Sequence, residues 1–251
     1  MNDLTISPFL LAIIFGLISF LYSSVGLGGG SSYSALMAII GVNYLVLPSI
    51  SLTLNLIVTF IGSINYVRSG HAKLKILFPF LITSIPMSYI GGLITLPKNV
   101  FYFMLMITLI FVALRIYLFD SPSIQLNLGD KSRIRLSLVI GAFLGFIAGT
   151  VGIGGGIYLV PLIIVFGLGT EKQAAATGAL FIWLNSLAGV AARVNSFPDV
   201  NTILPLCSAV LIGGLGGSFL GSNKFKPKTM QKLLGILIII AILFLFKRVV
   251  L

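Results

Sequence analysis

Charged residues are scarce in this chain. They make up 8% of its 251 residues, whereas a soluble domain carries about 25%. With 58% hydrophobic residues and a mean hydropathy of +1.15, the chain has too little polar surface for a water-soluble fold. The apolar residues form long runs rather than short alternating stretches, which favours membrane helices over a barrel. The chain is therefore predicted to be an all-α integral membrane protein whose surroundings are the lipid bilayer.

Acidic residues and cysteines are scarcer still. Only five Asp and Glu residues occur, and none lies deep in a predicted span, which disfavours metal-ion and cation transport. The single cysteine, Cys207, excludes an internal disulfide. The chain contains neither H-E-x-x-H nor G-x-x-x-x-G-K-[ST], so zinc protease chemistry and nucleotide hydrolysis lack their residues. We therefore expect no enzyme activity, no metal, no cofactor and no nucleic-acid partner.

One glycine-rich stretch occurs twice. Residues 24–30 read Ser-Val-Gly-Leu-Gly-Gly-Gly, and residues 150–156 read Thr-Val-Gly-Ile-Gly-Gly-Gly. Each stretch interrupts a long apolar run. Glycine costs about 1 kcal/mol relative to alanine in a helix interior, so several in one short run break the helix. Matched breaks in two matched halves are typical of transporters that bind substrate at interrupted helices.

The spans that follow each break repeat as well. Asn55 corresponds to Asn185, and the glycine pair at 91–92 corresponds to the pair at 216–217. Each half is predicted to be a Gly-broken helical hairpin followed by three transmembrane helices. The predicted division is one transmembrane domain with a first repeat at residues 1–119, a cytoplasmic linker at 120–135 and a second repeat at 136–251.

Positive charges indicate the topology. If each break turns the chain back, eleven Lys and Arg residues lie on one face of the membrane and four on the other. If each break lies within a single crossing helix, the split is only nine against six. The stronger bias favours hairpins and puts the basic face in the cytoplasm. The two repeats are then inverted, and both termini lie outside the cytoplasm of a multi-pass protein of the cell (inner) membrane.

Each break is followed by a short helix whose first N–H groups have no partner within that helix. The helix dipole adds positive potential there, so the start of such a helix is a ready anion site. Hydroxyl groups near the breaks, two amides in the following spans and one arginine offer further donors. The candidate substrate-binding residues are Ser24, Gly28, Gly29, Gly30, Ser31, Ser32, Asn55, Thr150, Gly154, Gly155, Gly156, Asn185 and Arg193.

These features also have structural interpretations. Small residues allow close helix packing, which is favoured for two glycine stripes: Gly141, Gly145 and Gly149, then Gly213, Gly217 and Gly221. For the two breaks we favour anion binding, because packing does not need so many glycines in so short a run. Asn55 and Asn185 donate either to an anion or to a neighbouring helix. Arg193 either binds an anion or extends to the membrane interface.

Further residues match a known family. Residues 157–162 read Ile-Tyr-Leu-Val-Pro-Leu, and residues 175–179 read Ala-Ala-Thr-Gly-Ala. Together with the two breaks and the glycine pairs, these residues resemble the sulfite exporter TauE/SafE family, also called the toluene-sulfonate uptake permeases. The first break departs from the second, since it continues as Ser-Ser-Tyr and lacks a proline at Ala35. The polar end of the expected site therefore lies in the first half.

The resemblance implies a secondary transporter of small sulfur-containing anions, such as sulfite, sulfoacetate, thiosulfate or an organosulfonate. It agrees with an anion bound between the two breaks, and the broken helices themselves fit transport by alternating access. An anion channel is the first alternative, and single-channel currents distinguish it. A membrane-embedded scaffold or enzyme subunit is the second, although the chain has no sizeable soluble domain.

Overall fold

The protein is α-helical throughout the part that the structure describes. The computed structural model describes residues 7–118, 129–194 and 200–224, together with 232, 235, 236, 238–243 and 246. Within these ranges the helices are α1 (Pro8–Ser23), α2 (Gly30–Ile39), α3 (Leu47–Arg68), α4 (Leu74–Leu93), α5 (Lys98–Leu118), α6 (Asp130–Val151), α7 (Gly156–Val165), α8 (Glu171–Ala191) and α9 (Val200–Asn223). The all-α prediction is confirmed. Five helices, α3, α4, α6, α8 and α9, are long and apolar enough to cross a membrane.

One helix begins earlier than the predicted division of the chain implies. α6 begins at Asp130, inside the segment assigned to the linker, whereas the second repeat was predicted to begin at residue 136. Its first turns carry charged residues that are exposed, so the apolar run marks only the part of the helix that lies in lipid. Most of the linker lies outside the described residues, and the last part of the second repeat is described only at residues 232, 235, 236, 238–243 and 246.

Capping residues set where two of the helices start. The Ser7 side chain accepts a hydrogen bond from the Leu10 N–H at 3.2 Å, and Pro8 occupies the first helical position of α1. Thr170 and Gln173 form a capping box at the start of α8. The starts of α2 and α7 are different, because each follows a glycine break and has no side-chain cap.

Both breaks turn the chain back on itself. The rings of Phe15 in α1 and Tyr33 in α2 stack with centroids 5.0 Å apart, and the Tyr22 hydroxyl lies 2.7 Å from that of Ser32. Rising numbers in α2 therefore meet falling numbers in α1. After the second break, a Cβ added at Gly155 would lie 3.2 Å from the Leu144 carbonyl oxygen of α6. The hairpin interpretation of the two breaks fits these contacts.

Two glycine stripes hold parallel helix pairs together. Along α9, Cβ atoms added at Gly213, Gly217 and Gly221 would overlap the carbonyl oxygens of Gly16, Phe20 and Ser24 in α1. Along α6, Cβ atoms added at Gly141, Gly145 and Gly149 would overlap those of Phe80, Ser84 and Ser88 in α4. The predicted packing role of both stripes is confirmed. Both pairs run parallel, because the residue numbers rise together.

The two most buried spans, α3 and α8, cross at the centre of the bundle. Phe60 of α3 packs against Trp183 of α8 with ring centroids 5.4 Å apart. A Cβ added at Gly62 would lie 3.8 Å from Ala179, and one added at Gly189 would lie 2.8 Å from Leu52. Rising numbers in α3 meet falling numbers in α8, so these two corresponding helices are antiparallel.

We expect Gly217→Ala to destabilise the protein, because its Cβ would overlap the Phe20 carbonyl oxygen at the α1–α9 contact. Overpacking of this kind costs about 1–3 kcal/mol. Gly216→Ala is the matched control, since its Cβ would meet only the Phe20 ring, at 3.4 Å. Melting temperatures of the purified variants in one detergent test this. Equal melting temperatures for the two variants would contradict the close helix contact.

Candidate functional site

Near its end, each break has a glycine in the left-handed backbone conformation. Gly29 has φ 87° and precedes α2, and Gly155 has φ 74° and precedes α7. Residues other than glycine rarely adopt such φ values. Neither helix start receives a hydrogen bond from a capping side chain. Both helix starts lie at the positive ends of helix dipoles. At α7 the N–H groups of Gly156 and Tyr158 donate to the carbonyls of Gly154 and Gly155, so the start of α2 offers more free N–H groups than the start of α7.

Both breaks meet at one side chain, Asn55 of α3. Cβ atoms added at Gly28 and Gly30 would overlap the Asn55 amide, and one added at Gly154 would lie 3.1 Å from its Nδ2. The absence of side chains at these glycines is what lets the amide sit between the breaks. The first and second halves of the chain thus contribute to one location.

The Ser51 hydroxyl also joins the two breaks. Its Oγ lies 3.0 Å from the carbonyl oxygen of Gly30 and 2.7 Å from that of Gly152. A hydroxyl carries one proton, so the two carbonyls share a single donor. Ser51 therefore links the start of α2 to the end of α6 through one side chain of α3.

The polar atoms between the breaks are not satisfied by the protein. Asn55 is fully buried, and neither its Nδ2 nor its Oδ1 has a hydrogen-bond partner. The Ser186 Oγ of α8 also lacks a partner and would lie 3.1 Å from a Cβ added at Gly154. A buried polar group without a partner costs about 1–3 kcal/mol, and native proteins seldom retain one without a reason. The location is therefore suited to a polar or charged guest.

The candidate hydroxyl groups near the breaks already have partners. The Tyr22 hydroxyl lies 3.0 Å from that of Ser31 and 2.7 Å from that of Ser32. The hydroxyls of Ser24 and Thr150 donate to backbone carbonyls about one turn earlier in their own helices. These four side chains lie around the breaks, whereas buried polar atoms without a partner include Asn55 on α3, Ser186 on α8, and the hydroxyls of Tyr33 and Ser34 on α2.

Asn185 does not take a place equivalent to that of Asn55. Its Nδ2 donates to the Ser84 Oγ of α4 at 3.1 Å and to the Phe181 carbonyl at 2.8 Å. Ser88, also on α4, donates to the Asn185 backbone carbonyl at 2.8 Å. The amide nitrogen thus joins α8 to α4, which matches the helix–helix interpretation, although its Oδ1 has no partner.

Arg193 lies just after the end of α8, beside the second break. Its Nη2 donates to the Thr150 carbonyl at 3.2 Å, whereas its Nη1 has no partner, and only 8% of the residue is exposed. Burial lowers the pKa of the guanidinium to about 10, so it remains charged at neutral pH. It lines a cleft of about 390 Å³ with Tyr44, Pro48, Gly92, Thr95 and Thr150.

At the first break, a neutral tyrosine hydroxyl binds the carbonyl that corresponds to the one bound by Arg193 at the second break. The Tyr66 hydroxyl, near the end of α3, donates to the Ser24 carbonyl at 2.7 Å. Ser24 and Thr150 are matching positions in the two repeats, so both hairpins are held at the same carbonyl. The donor is a phenol in one half and a guanidinium in the other, which makes the two ends of the site electrostatically unequal.

The sequence interpretation missed Ser51 and Ser186. Ser51, Asn55 and Thr59 are spaced four residues apart, so they share one face of α3. That spacing could have identified Ser51 from the sequence. Ser186 had no such signal, because only the contact with Gly154 distinguishes it from other serines in the spans. Among the described residues, no group of three or more His, Cys, Asp or Glu side chains is placed to hold a metal ion.

Apolar helices of membrane-spanning length, with two broken hairpins that converge on a buried amide, define a multi-pass protein of the membrane transporter class. The chain belongs to the sulfite exporter TauE/SafE family, whose sequence profile it matches over residues 11–245. The family resemblance seen in the sequence is confirmed. No solved structure matches the chain with significance.

Several curated relatives match nearly the whole chain. The "Probable membrane transporter protein y4hK" of Sinorhizobium fredii is 32% identical over 234 residues, covering 92% of this chain and 95% of that protein. The "Probable membrane transporter protein YunE" of Bacillus subtilis is 28% identical, and the match covers 92% of this chain and 95% of that protein. The "Probable membrane transporter protein YjnA" of the same organism is 24% identical, with 91% and 96% covered.

The unpartnered amide predicts opposite effects for two similar substitutions. We expect Asn55→Leu to leave the melting temperature of the anion-free protein unchanged or to raise it, because it replaces two unsatisfied polar atoms with apolar ones. Asn185→Leu is the matched variant and should lower the melting temperature, because it removes the two hydrogen bonds of Nδ2.

Differential scanning fluorimetry in a buffer without sulfur anions measures both variants. A large loss of stability for Asn55→Leu together with none for Asn185→Leu would reverse the roles assigned to the two amides.

Proposed function

We propose that this protein is a secondary transporter, rather than an enzyme, that moves small sulfur-containing anions across the cell membrane by alternating access. The substrates are sulfite, sulfoacetate, thiosulfate or an organosulfonate, and the anion binds between the two breaks. One observation carries the proposal: a buried amide with no partner lies where two uncapped helix starts converge.

Peptide N–H groups and one amide provide the binding energy. An anion beside Asn55 accepts hydrogen bonds from its Nδ2 and from the first turn of α2, with the dipoles of α2 and α7 adding positive potential. Each helix start contributes typically 0.3–1 kcal/mol at exposed sites and up to about 2 kcal/mol in buried ones. Ser186 supplies a further hydroxyl without a partner. The site thus binds an anion without holding a fixed charge of its own.

No carboxylate that the structure describes lies within a buried span. Glu171 and Asp130 both lie in the first turns of their helices. A cation transporter needs buried carboxylates near its site. The described residues therefore support an anionic substrate over a cationic one.

Helix directions support the inverted arrangement of the repeats. α3 and α8 correspond in the two halves and are antiparallel, as an inverted pair must be. A Cβ added at Gly26 would overlap Ala175 near the start of α8, and one added at Gly152 would lie 2.5 Å from Pro48 near the start of α3. Each hairpin tip thus reaches towards the opposite face of the bundle. The charge bias then puts the first tip towards the cytoplasm and the second towards the outside.

This arrangement gives each face its own gate. The first tip closes one route to the site and is held by Tyr66, while the second closes the other route and is held by Arg193. Because Ser51 shares one proton between two carbonyls, it donates fully to the hairpin that stays in place when the other moves. Alternate movement of the two tips exposes the anion to one side at a time.

We expect Gly30→Ala to abolish anion binding. Its φ is not positive, so alanine causes no backbone strain, yet its Cβ would overlap the Asn55 amide and lie 3.0 Å from the Ser51 Oγ. Gly62→Ala is the matched control, because its Cβ would make only ordinary contacts at 3.8 and 3.9 Å. The affinity for anions should fall at least tenfold in the first variant, or by about 1.4 kcal/mol, and stay unchanged in the second.

A thermal-shift screen of the purified protein against sulfite, thiosulfate, sulfoacetate, taurine, sulfate and phosphate identifies the anion. Flux into proteoliposomes then compares the wild type with the two glycine variants. Saturable flux that Gly30→Ala abolishes and Gly62→Ala preserves supports the proposal. Full flux in Gly30→Ala would remove the site from between the breaks, and single-channel currents would replace the transporter with a channel.

A further inference from the structure

The geometry points to a second anion site in the cleft around Arg193, where a small sulfur oxyanion docks before it reaches the site between the breaks. This inference rests on the proposed function and adds a distinct location, with its own donor, on one face of the protein. The ligand is an anion small enough for a cleft of about 390 Å³.

One nitrogen of the Arg193 guanidinium has a hydrogen-bond partner and another has none. Nη2 is fixed by the Thr150 carbonyl at 3.2 Å, and the buried Nη1 has no partner. A guanidinium presents its N–H groups in a rigid planar fork that matches the spacing of two oxyanion oxygens. Because Nη2 is already bound to the Thr150 carbonyl, the orientation of Nη1 is set before any ligand arrives.

The neighbouring helix packs closely against the free nitrogen. A Cβ added at Gly92 of α4 would lie 3.0 Å from Nη1 and 2.6 Å from the Ala192 Cβ, so a larger residue there would displace the guanidinium. Gly92 and Arg193 line the same cleft. Gly92 belongs to the glycine pair at 91–92, which corresponds to the pair at 216–217 in the second half. Because Gly92 has no side chain, α4 can lie against the Arg193 guanidinium.

The charge of Arg193 is not compensated within the described residues. No carboxylate of the described chain is paired with it, and only 8% of the residue is exposed. Burying a charge is costly unless a partner of opposite sign is present. A mobile anion is a partner that restores this balance whenever it occupies the cleft.

The cleft leads to the second break. Pro48 and Thr150 line it, and Gly152 packs directly against Pro48. An anion on Arg193 is therefore next to the tip that closes this route to Asn55. At the opposite end the donor on the hairpin carbonyl is the neutral Tyr66, and the nearby Lys172 is half-exposed and donates to the Ser222 carbonyl. The hairpin carbonyl with a charged donor is therefore on the Arg193 face.

Titration calorimetry with sodium sulfite and sodium thiosulfate at low ionic strength separates the two sites. The Asn55→Leu protein should lose the tight site and keep one weak site whose affinity falls with added salt. The double variant Asn55→Leu/Arg193→Gln should bind at least tenfold more weakly again, whereas Asn55→Leu/Lys98→Gln should match Asn55→Leu. Lys98 has the same charge and is exposed near the cleft without lining it.

Two results would overturn the Arg193 site: no binding to Asn55→Leu, or equal binding to Asn55→Leu and its Arg193→Gln derivative. The proposed central site fails separately, if the wild type binds no more tightly than Asn55→Leu. Arg193→Lys checks for a purely structural role, because lysine keeps the charge and a donor for the Thr150 carbonyl. It should retain part of the weak binding and melt near the wild-type temperature.

Discussion

A peptide group in hydrocarbon needs a hydrogen-bond partner, and this constraint governs the whole molecule. The chain interrupts two of its apolar helices with glycines and thereby frees backbone groups at the bundle centre. Burial between α3 and α8 keeps those groups away from lipid. The Ser51 hydroxyl lies within hydrogen-bond distance of one carbonyl from each break and shares its single proton between them. The amide of Asn55 remains without a partner in the same place, so the protein alone does not complete the network.

The rest of the bundle supports that centre. The glycine stripes of α6 and α9 bring each hairpin's long helix against a helix of the other half. Each tip then reaches the start of the other half's central helix. Tyr66 and Arg193 hold the two tips at matching carbonyls. The same contacts therefore place the two hairpin tips at opposite ends of the bundle centre, one held by the neutral phenol of Tyr66 and the other by the guanidinium of Arg193.

Much of this helix arrangement could be predicted from the sequence, because it depends on composition and on the spacing of glycines and apolar residues. Glycine clusters predict helix breaks, stripes at every fourth residue predict close packing, and apolar runs predict the helices. The different roles of Asn55 and Asn185 were not readable, because the partner of Asn185 is Ser84 on another helix. Equal positions in a repeat suggest equal roles, and only packing shows where the neighbours differ. The early start of α6 was missed because hydropathy detects lipid contact rather than helix formation.

The most direct test locates the anion itself. Selenite resembles sulfite and scatters anomalously, so diffraction from crystals soaked in it reports the position of the bound anion. Our account predicts an anomalous peak within hydrogen-bond distance of the Asn55 Nδ2 and beside the first turn of α2. A protein whose anion sites all lie on the basic loops, with the region between the breaks empty at saturating selenite, would contradict it.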